Sequence, residues 1–242
     1  MKYTHLNNGK GRFFVLLLVQ SVEIFEEKWR KNMNSRNWVR LFINTLFIGG
    51  LSTAIVGFVV RWNEHKDLFA NFQVLDILSV TFWFIGVGLI FSVISQMGFF
   101  AYLTIHRFGL GIFRSYWTYI QAVLIAYILF GLVFYRYTAF ATEGESLFPY
   151  LAIPIFVLIY ALLVAYVKSA QTNFNAFIPT IFFMIVVTTA EWFPVLRVND
   201  PAWLLLMLFP LLACNSYQIL VLHKLNEKSA QEQDALKQKK KK

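Results

Sequence analysis

The chain has 242 residues, 58% of them hydrophobic and only 14% charged, with a mean hydropathy of +0.56. Ordinary soluble domains are about 45–50% apolar and about 25% charged. These proportions exclude a disordered chain, a coiled coil and a nucleic-acid scaffold, and leave a bilayer as the natural solvent.

The net charge of +9 is gathered at the two ends. Residues 1–32 carry six Lys/Arg against three Glu, and residues 224–242 carry seven Lys against three acids. The body between them has nine Lys/Arg against seven Asp/Glu. Charge placed this way sets topology or meets lipid headgroups. The single cysteine, Cys214, can form neither an internal disulfide nor a multi-cysteine metal site.

At the start of the chain, residues 13–22 are apolar for ten residues only. That is too short to span, and the following EIFEEKWRK holds no small-residue cleavage site. An amphipathic surface helix is a second reading of this stretch. Trp29-Arg30 can be encoded TGG AGG, which contains a purine-rich ribosome-binding sequence two codons before Met33. The expectation is a native start at Met33, with residues 1–32 a translated leader.

From Met33 onward, hydropathy predicts six transmembrane helices near residues 41–60, 77–105, 116–135, 148–167, 174–193 and 201–222. The fold class is therefore all-α, a polytopic bundle over 33–223 with a Lys-rich tail over 224–242. Asp76 and Ser115 are expected to cap the second and third helices. Asp200-Pro201 reads as a cap followed by proline at the first helical position. Arg61, Arg136 and Lys168 are expected to close the first, third and fourth helices.

Loop charge gives the orientation. With the N-terminus inside, cytoplasmic segments carry Arg36, Arg40, Arg107, Arg114, Lys168 and seven tail Lys, twelve in all. The outer loops carry only Arg61, Lys66, Arg136 and Arg197. Both termini are expected in the cytoplasm.

Small residues four apart occur at Gly50/Ala54, Gly88/Ser92, Ala122/Ala126 and Ala161/Ala165. Such pairs let helix backbones approach closely in lipid. Pro154, Pro179 and Pro210 fall inside spans and should bend them. There is no HExxH, GxxxxGK[ST], GxSxG or CxxC, and no pair of intramembrane carboxylates. No catalytic, cofactor or metal residue is expected. His5, His65, His106 and His223 show no ligand spacing; His106 and His223 are expected at helix ends, where a cation suits the dipole.

Glu191, in TTAEWFP, is the one carboxylate inside a predicted span. It lies within a turn of the outer boundary, so a snorkelling or structural role is set against an ion or ligand site. Gln96, Gln121, Gln171, Asn175 and Gln218 are expected to bond between helices or, near helix ends, to be wet. Residues 106–114, HRFGLGIFR, read as a cytoplasmic loop whose Arg107 and Arg114 can anchor at headgroups or dock a partner.

The stretch MNSRNWVRLFINTLFIGGLSTAIVGFVVRW, residues 33–62, resembles the start of the KinB-signalling pathway activation (KbaA-like) family. These are small polytopic membrane proteins of endospore-forming bacteria, and the similar order of spans extends the resemblance to about residue 225. The resemblance implies a protein of the bacterial cytoplasmic membrane that activates a sensor histidine kinase feeding the sporulation phosphorelay. It supplies no catalytic residue. The leading expectation is a non-enzymatic regulator embedded in lipid, with Gly50, Ala54, Gly88, Ser92, Arg107 and Arg114 as candidate partner contacts and Glu191 as a candidate functional acid. The alternative is a small-solute permease that supplies the kinase's signal. Nucleic acid is not expected as a partner.

Overall fold

The computed structural model describes residues 35–240, so the proposed leader lies outside the described residues. Helices follow one another with short turns: α1 Ser35–Val60, α2 Trp62–Ala70, α3 Val74–Phe113 and α4 Trp117–Phe140. Then come α5 Phe148–Gln171, the short α6 Phe177–Phe182, a π turn at Phe183–Val187, α7 Thr188–Leu196 and α8 Pro201–Lys240. No strand occurs among the described residues.

Among the described residues, five helical stretches are long and apolar enough to cross a membrane. One of them, 74–140, contains both α3 and α4 and folds back on itself. His106 Nδ1 lies 3.3 Å from Gln121 Nε2, whereas fifteen residues of straight helix would separate them by about 22 Å. The reversal is made at Arg114–Tyr116, where Arg114 takes a φ of 51°.

Several expected boundaries move. Asp76 is not the cap of α3; the helix begins at Val74, and Asp76 sits in its first turn, where a carboxylate still favours the dipole. Ser115 falls in the turn before α4 and does not cap it. Residues 106–113 are not a loop but the last turns of α3, whose two glycines are helical. The cap at Asp200 forms as expected, its Oδ1 accepting the N–H groups of Ala202 at 2.8 Å and Trp203 at 3.0 Å. The short α2 was not anticipated; it lies between α1 and α3, with Phe72 at a φ of 50° closing the turn after it.

The chain divides into two units. The larger, 40–222, holds the buried core of Phe84, Phe99, Phe183, Ile185, Trp192 and Leu206. Large side chains such as Phe47, Ile55, Phe82, Val123 and Phe130 point outward, as they must where lipid takes the place of water. The other takes in the described residues up to Val39 and those from His223, where Asn37 Nδ2 donates to Ser229 Oγ at 2.7 Å. The described part of the Lys-rich tail is helical, because α8 runs to Lys240.

The small residues act where α1 crosses α3. A Cβ on Gly88 would strike the Gly49 carbonyl and Thr53, and one on Gly49 would strike Ser92. Ser92 keeps its hydroxyl satisfied by donating to Gly88 O at 2.7 Å. Gly88 and Ser92 are thus buried against α1 of the same chain. The neighbouring Gly50 has only ordinary contact, 3.4 Å from Ile85, so the closest approach belongs to Gly49. Ala161 and Ala165 are fully buried, while Ala122 and Ala126 lie on an exposed face of α4.

This geometry makes a directional prediction. Gly88→Leu should destabilise the bundle by about 2 kcal/mol or more, read as a lower melting temperature in detergent. Gly86→Leu, at a position with nothing within 4 Å, should melt like the wild type. Equal melting of the two variants would contradict the close α1–α3 crossing.

Candidate functional site

A polar side chain in an apolar bundle has no water to bond and must find a partner on another helix. Three helices each supply a polar pair three residues apart: Ser92/Ser95 on α3, Thr188/Glu191 on α7 and Asn215/Gln218 on α8. Residues three apart share a helix face. Five of these six side chains join in one network. Ser95 Oγ donates to Asn215 Oδ1 at 2.6 Å, and Gln218 Nε2 donates to Ser95 Oγ at 2.8 Å. Asn215 Nδ2 donates to Thr188 Oγ1 at 2.9 Å and to Glu191 Oε2 at 2.7 Å. Cys214 Sγ reaches the Thr45 carbonyl of α1 at 3.7 Å.

The network lies deep. Asn215 is fourteen residues into α8, about 21 Å from its start. Thr45 is ten residues into α1, about 15 Å. Glu191 lies in the first turn of the short α7, and is only 7% exposed. The reason is geometric: helical side chains lean toward the helix N-terminus, which carries this carboxyl back toward Asn215. The preceding π turn contributes as well. It inserts one residue, which turns the following helix by about 100°.

The Glu191 carboxyl packs directly on the backbone of α3, where a Cβ at Gly98 would overlap Oε1. That oxygen has no hydrogen-bond partner, and neither does Gln218 Oε1. No group of three or more His, Cys, Asp or Glu that could hold a metal ion occurs among the described residues. What the arrangement offers chemically is one acid within a hydrogen-bond network, able to exchange a proton or to re-pair its amides.

Of the polar residues named from sequence, Gln96, Gln121 and Gln218 are buried and bonded. Gln171 and Asn175 are exposed. Ser95, Thr188 and Asn215 were missed; the signal that finds them is the recurrence of polar pairs at i and i+3 on three spans. His106 is a correction. It is not a cation at a helix end but accepts the Trp117 indole N–H on Nδ1 at 3.1 Å. An indole can only donate, so that nitrogen carries no proton. Gly109 makes room for the indole, since a Cβ there would strike it.

Among the other named residues, Arg107 is half-buried on α3, while Arg114 is exposed at the reversal. Ala54 is buried. Arg136 does not end its helix in solvent. It is buried, donates to Asn199 Oδ1 at 3.1 Å and lies over the Tyr150 ring at 5.7 Å. In the adjoining 141–147 loop, the Thr142 backbone N–H, together with the Tyr150 and Thr142 hydroxyls, holds the Glu145 carboxyl below the usual carboxylate range.

The Gly98–Glu191 contact predicts a coupled pair. Gly98→Ala should lower the melting temperature markedly in the wild-type background. It should cost far less when combined with Glu191→Ala, giving a coupling of about 1–3 kcal/mol. Additive effects in a double-mutant cycle would contradict the contact.

Comparison with known proteins adds an independent line. The KbaA family, described as KinB-signalling pathway activation in sporulation, matches residues 49–225, a range that includes every member of the network. A KinB-signaling pathway activation protein of Bacillus subtilis (strain 168) is 50% identical over 194 residues, covering 79% of this chain and 98% of that relative. No solved structure matches. A match over most of the chain, with half of the aligned residues identical to a relative covered almost end to end, means that the chain belongs to the KbaA family.

Proposed function

We propose that this protein is a multi-pass protein of the bacterial cytoplasmic membrane that activates a KinB-type sensor histidine kinase feeding the sporulation phosphorelay. The observation that carries the reading is the family match, which extends over nearly the whole of a relative named for that activation. The helices long and apolar enough to cross a membrane support its placement. In this reading α3 and α4 are separate spans, giving six crossings, with both termini and the Arg114 turn inside.

The mode of action is non-enzymatic. A bound partner shifts a kinase between signalling states only through unequal affinity for the two. A tenfold shift requires about 1.4 kcal/mol of difference, which a few side-chain contacts supply. Gly88 and Ser92 are engaged inside the bundle, so the proposed contacts move to the α3–α4 reversal, where Arg107 and Arg114 lie.

The test is phosphorelay output in a strain lacking this protein. Output should fall roughly tenfold, the change that about 1.4 kcal/mol provides, and only when the KinB-type kinase is present. The full chain should restore it. Arg107→Ala/Arg114→Ala should restore it poorly at a normal protein level. Output that ignores the deletion, or that falls equally without the kinase, overturns the reading.

A further inference from the structure

Two oxygens of the Glu191 network are left without a hydrogen-bond donor. Asn215 provides both of its amide hydrogens, to Thr188 and to Glu191 Oε2. Ser95 provides its one hydroxyl proton to Asn215. Gln218 donates to Ser95. After these bonds Glu191 Oε1 and Gln218 Oε1 remain buried without a donor. An ionised carboxylate accepts at both oxygens and seeks several donors; this one has a single amide.

The surroundings offer no counter-charge. From α3 the carboxyl meets Gly98 and the Ser95 end of the network. From α8 it meets Asn215, with Gln218 reached only through Ser95 and the Cys214 thiol as the other titratable group nearby. The π turn brings Phe183, Met184 and Ile185, all apolar and fully buried. No Lys, Arg or His pairs with Glu191 among the described residues. A lone buried charge of this kind is strongly disfavoured, whereas a neutral acid is tolerated once hydrogen-bonded.

We propose that Glu191, packed against Gly98 and bonded by Asn215, is a proton-binding site, occupied when the bundle is packed as seen here. The proton sits on the Glu191 carboxyl and removes a buried charge that one amide alone would have to satisfy. Release breaks the O–H bond, leaves the electron pair on the carboxylate and passes the proton to water, with no change in oxidation state. The remaining charge then draws the Asn215 amide more strongly and leaves Oε1 exposed to repulsion, so α7 must shift or admit water. The site rests on the membrane reading given above and gives the activator a proton as one of its inputs.

The experiment is infrared spectroscopy of the purified full-length protein in lipid nanodiscs, labelled with carboxyl-¹³C glutamate, at neutral pH. Glu191 is the only buried glutamate among the described residues, and exposed acids are ionised at that pH. The expected result is one protonated carboxyl band, isotope-shifted by the label and absent in Glu191→Gln. Melting measured against pH is the second readout. The packed bundle holds a proton that the unfolded chain releases, so raising the pH should lower the wild-type melting temperature. Glu191→Gln, which cannot ionise, should lose that pH dependence.

Absence of the band from the labelled wild type overturns the proposal, and this arm stands even if the variant fails to fold. A melting temperature that rises with sodium in the wild type but not in Glu191→Gln also overturns it, in favour of a cation. Neither readout involves the kinase, so failure of the activator reading would appear separately, in phosphorelay output.

Discussion

Everything polar in this bundle is governed by one constraint: within apolar surroundings, a hydrogen-bonding side chain must be satisfied by another helix or left wanting. The network of Ser95, Thr188, Glu191, Asn215 and Gln218 is the consequence. It ties α3, α7 and α8 together in the interior, far from either end of α8. Because apolar side chains gain little by leaving lipid for one another, such bonds and tight backbone contacts carry much of the specificity of packing. The same constraint explains why Gln121, Asn215 and Gln218 are fully buried while Phe47, Phe82 and Val123 face outward.

Close approach is the second requirement, and glycine meets it in two different ways. At the α1–α3 crossing, Gly49 and Gly88 bring backbone to backbone. At Gly98 the missing side chain makes room for another helix's carboxyl, so that position shapes a pocket for Glu191. Trp192 fixes the partner side of that pocket by donating its indole N–H to the Leu204 carbonyl at 3.0 Å, which holds α7 on α8 next to Glu191. A carboxyl wedged between a backbone and an amide is positioned by shape as well as by bonding.

Much of the helical layout was legible because the signals are chemical and local. Long apolar runs mark helices by length alone, and Asp200-Pro201 announces α8 through its own oxygen. The reversal between α3 and α4 was also legible, though misplaced: glycines suggested a loop where Gly109 instead admits the Trp117 ring into a helix contact. The π turn was not legible, since Phe183–Val187 is an ordinary apolar run whose wider winding depends on what packs around it. Glu191 was recognised as an unusual residue, but its burial and its partner on α8 were not. Counting residues to the end of the helix locates its Cα, while side-chain direction and helix rotation place its carboxyl. Asn215 and Ser95 escaped notice because each is unremarkable alone and gains meaning only across helices.

An activator of the kind proposed above would carry information in its own conformation. Here the segment best suited to that is α6, the π turn and α7. It carries Pro179 and Pro194, winds as a π turn between them, and bears Glu191, the one buried acid among the described residues. An α-helical rewinding of Phe183–Val187 would rotate the Glu191 face by about 100°, which cannot occur while the carboxyl is held between Gly98 and Asn215. The network therefore locks the rotational state of α7, and whatever loosens the carboxyl frees the helix. Packed interiors switch between discrete arrangements and do not deform continuously. A single bond at Glu191 is thus placed to hold one setting of α7, and in the activator reading proposed above that setting is what a partner would meet.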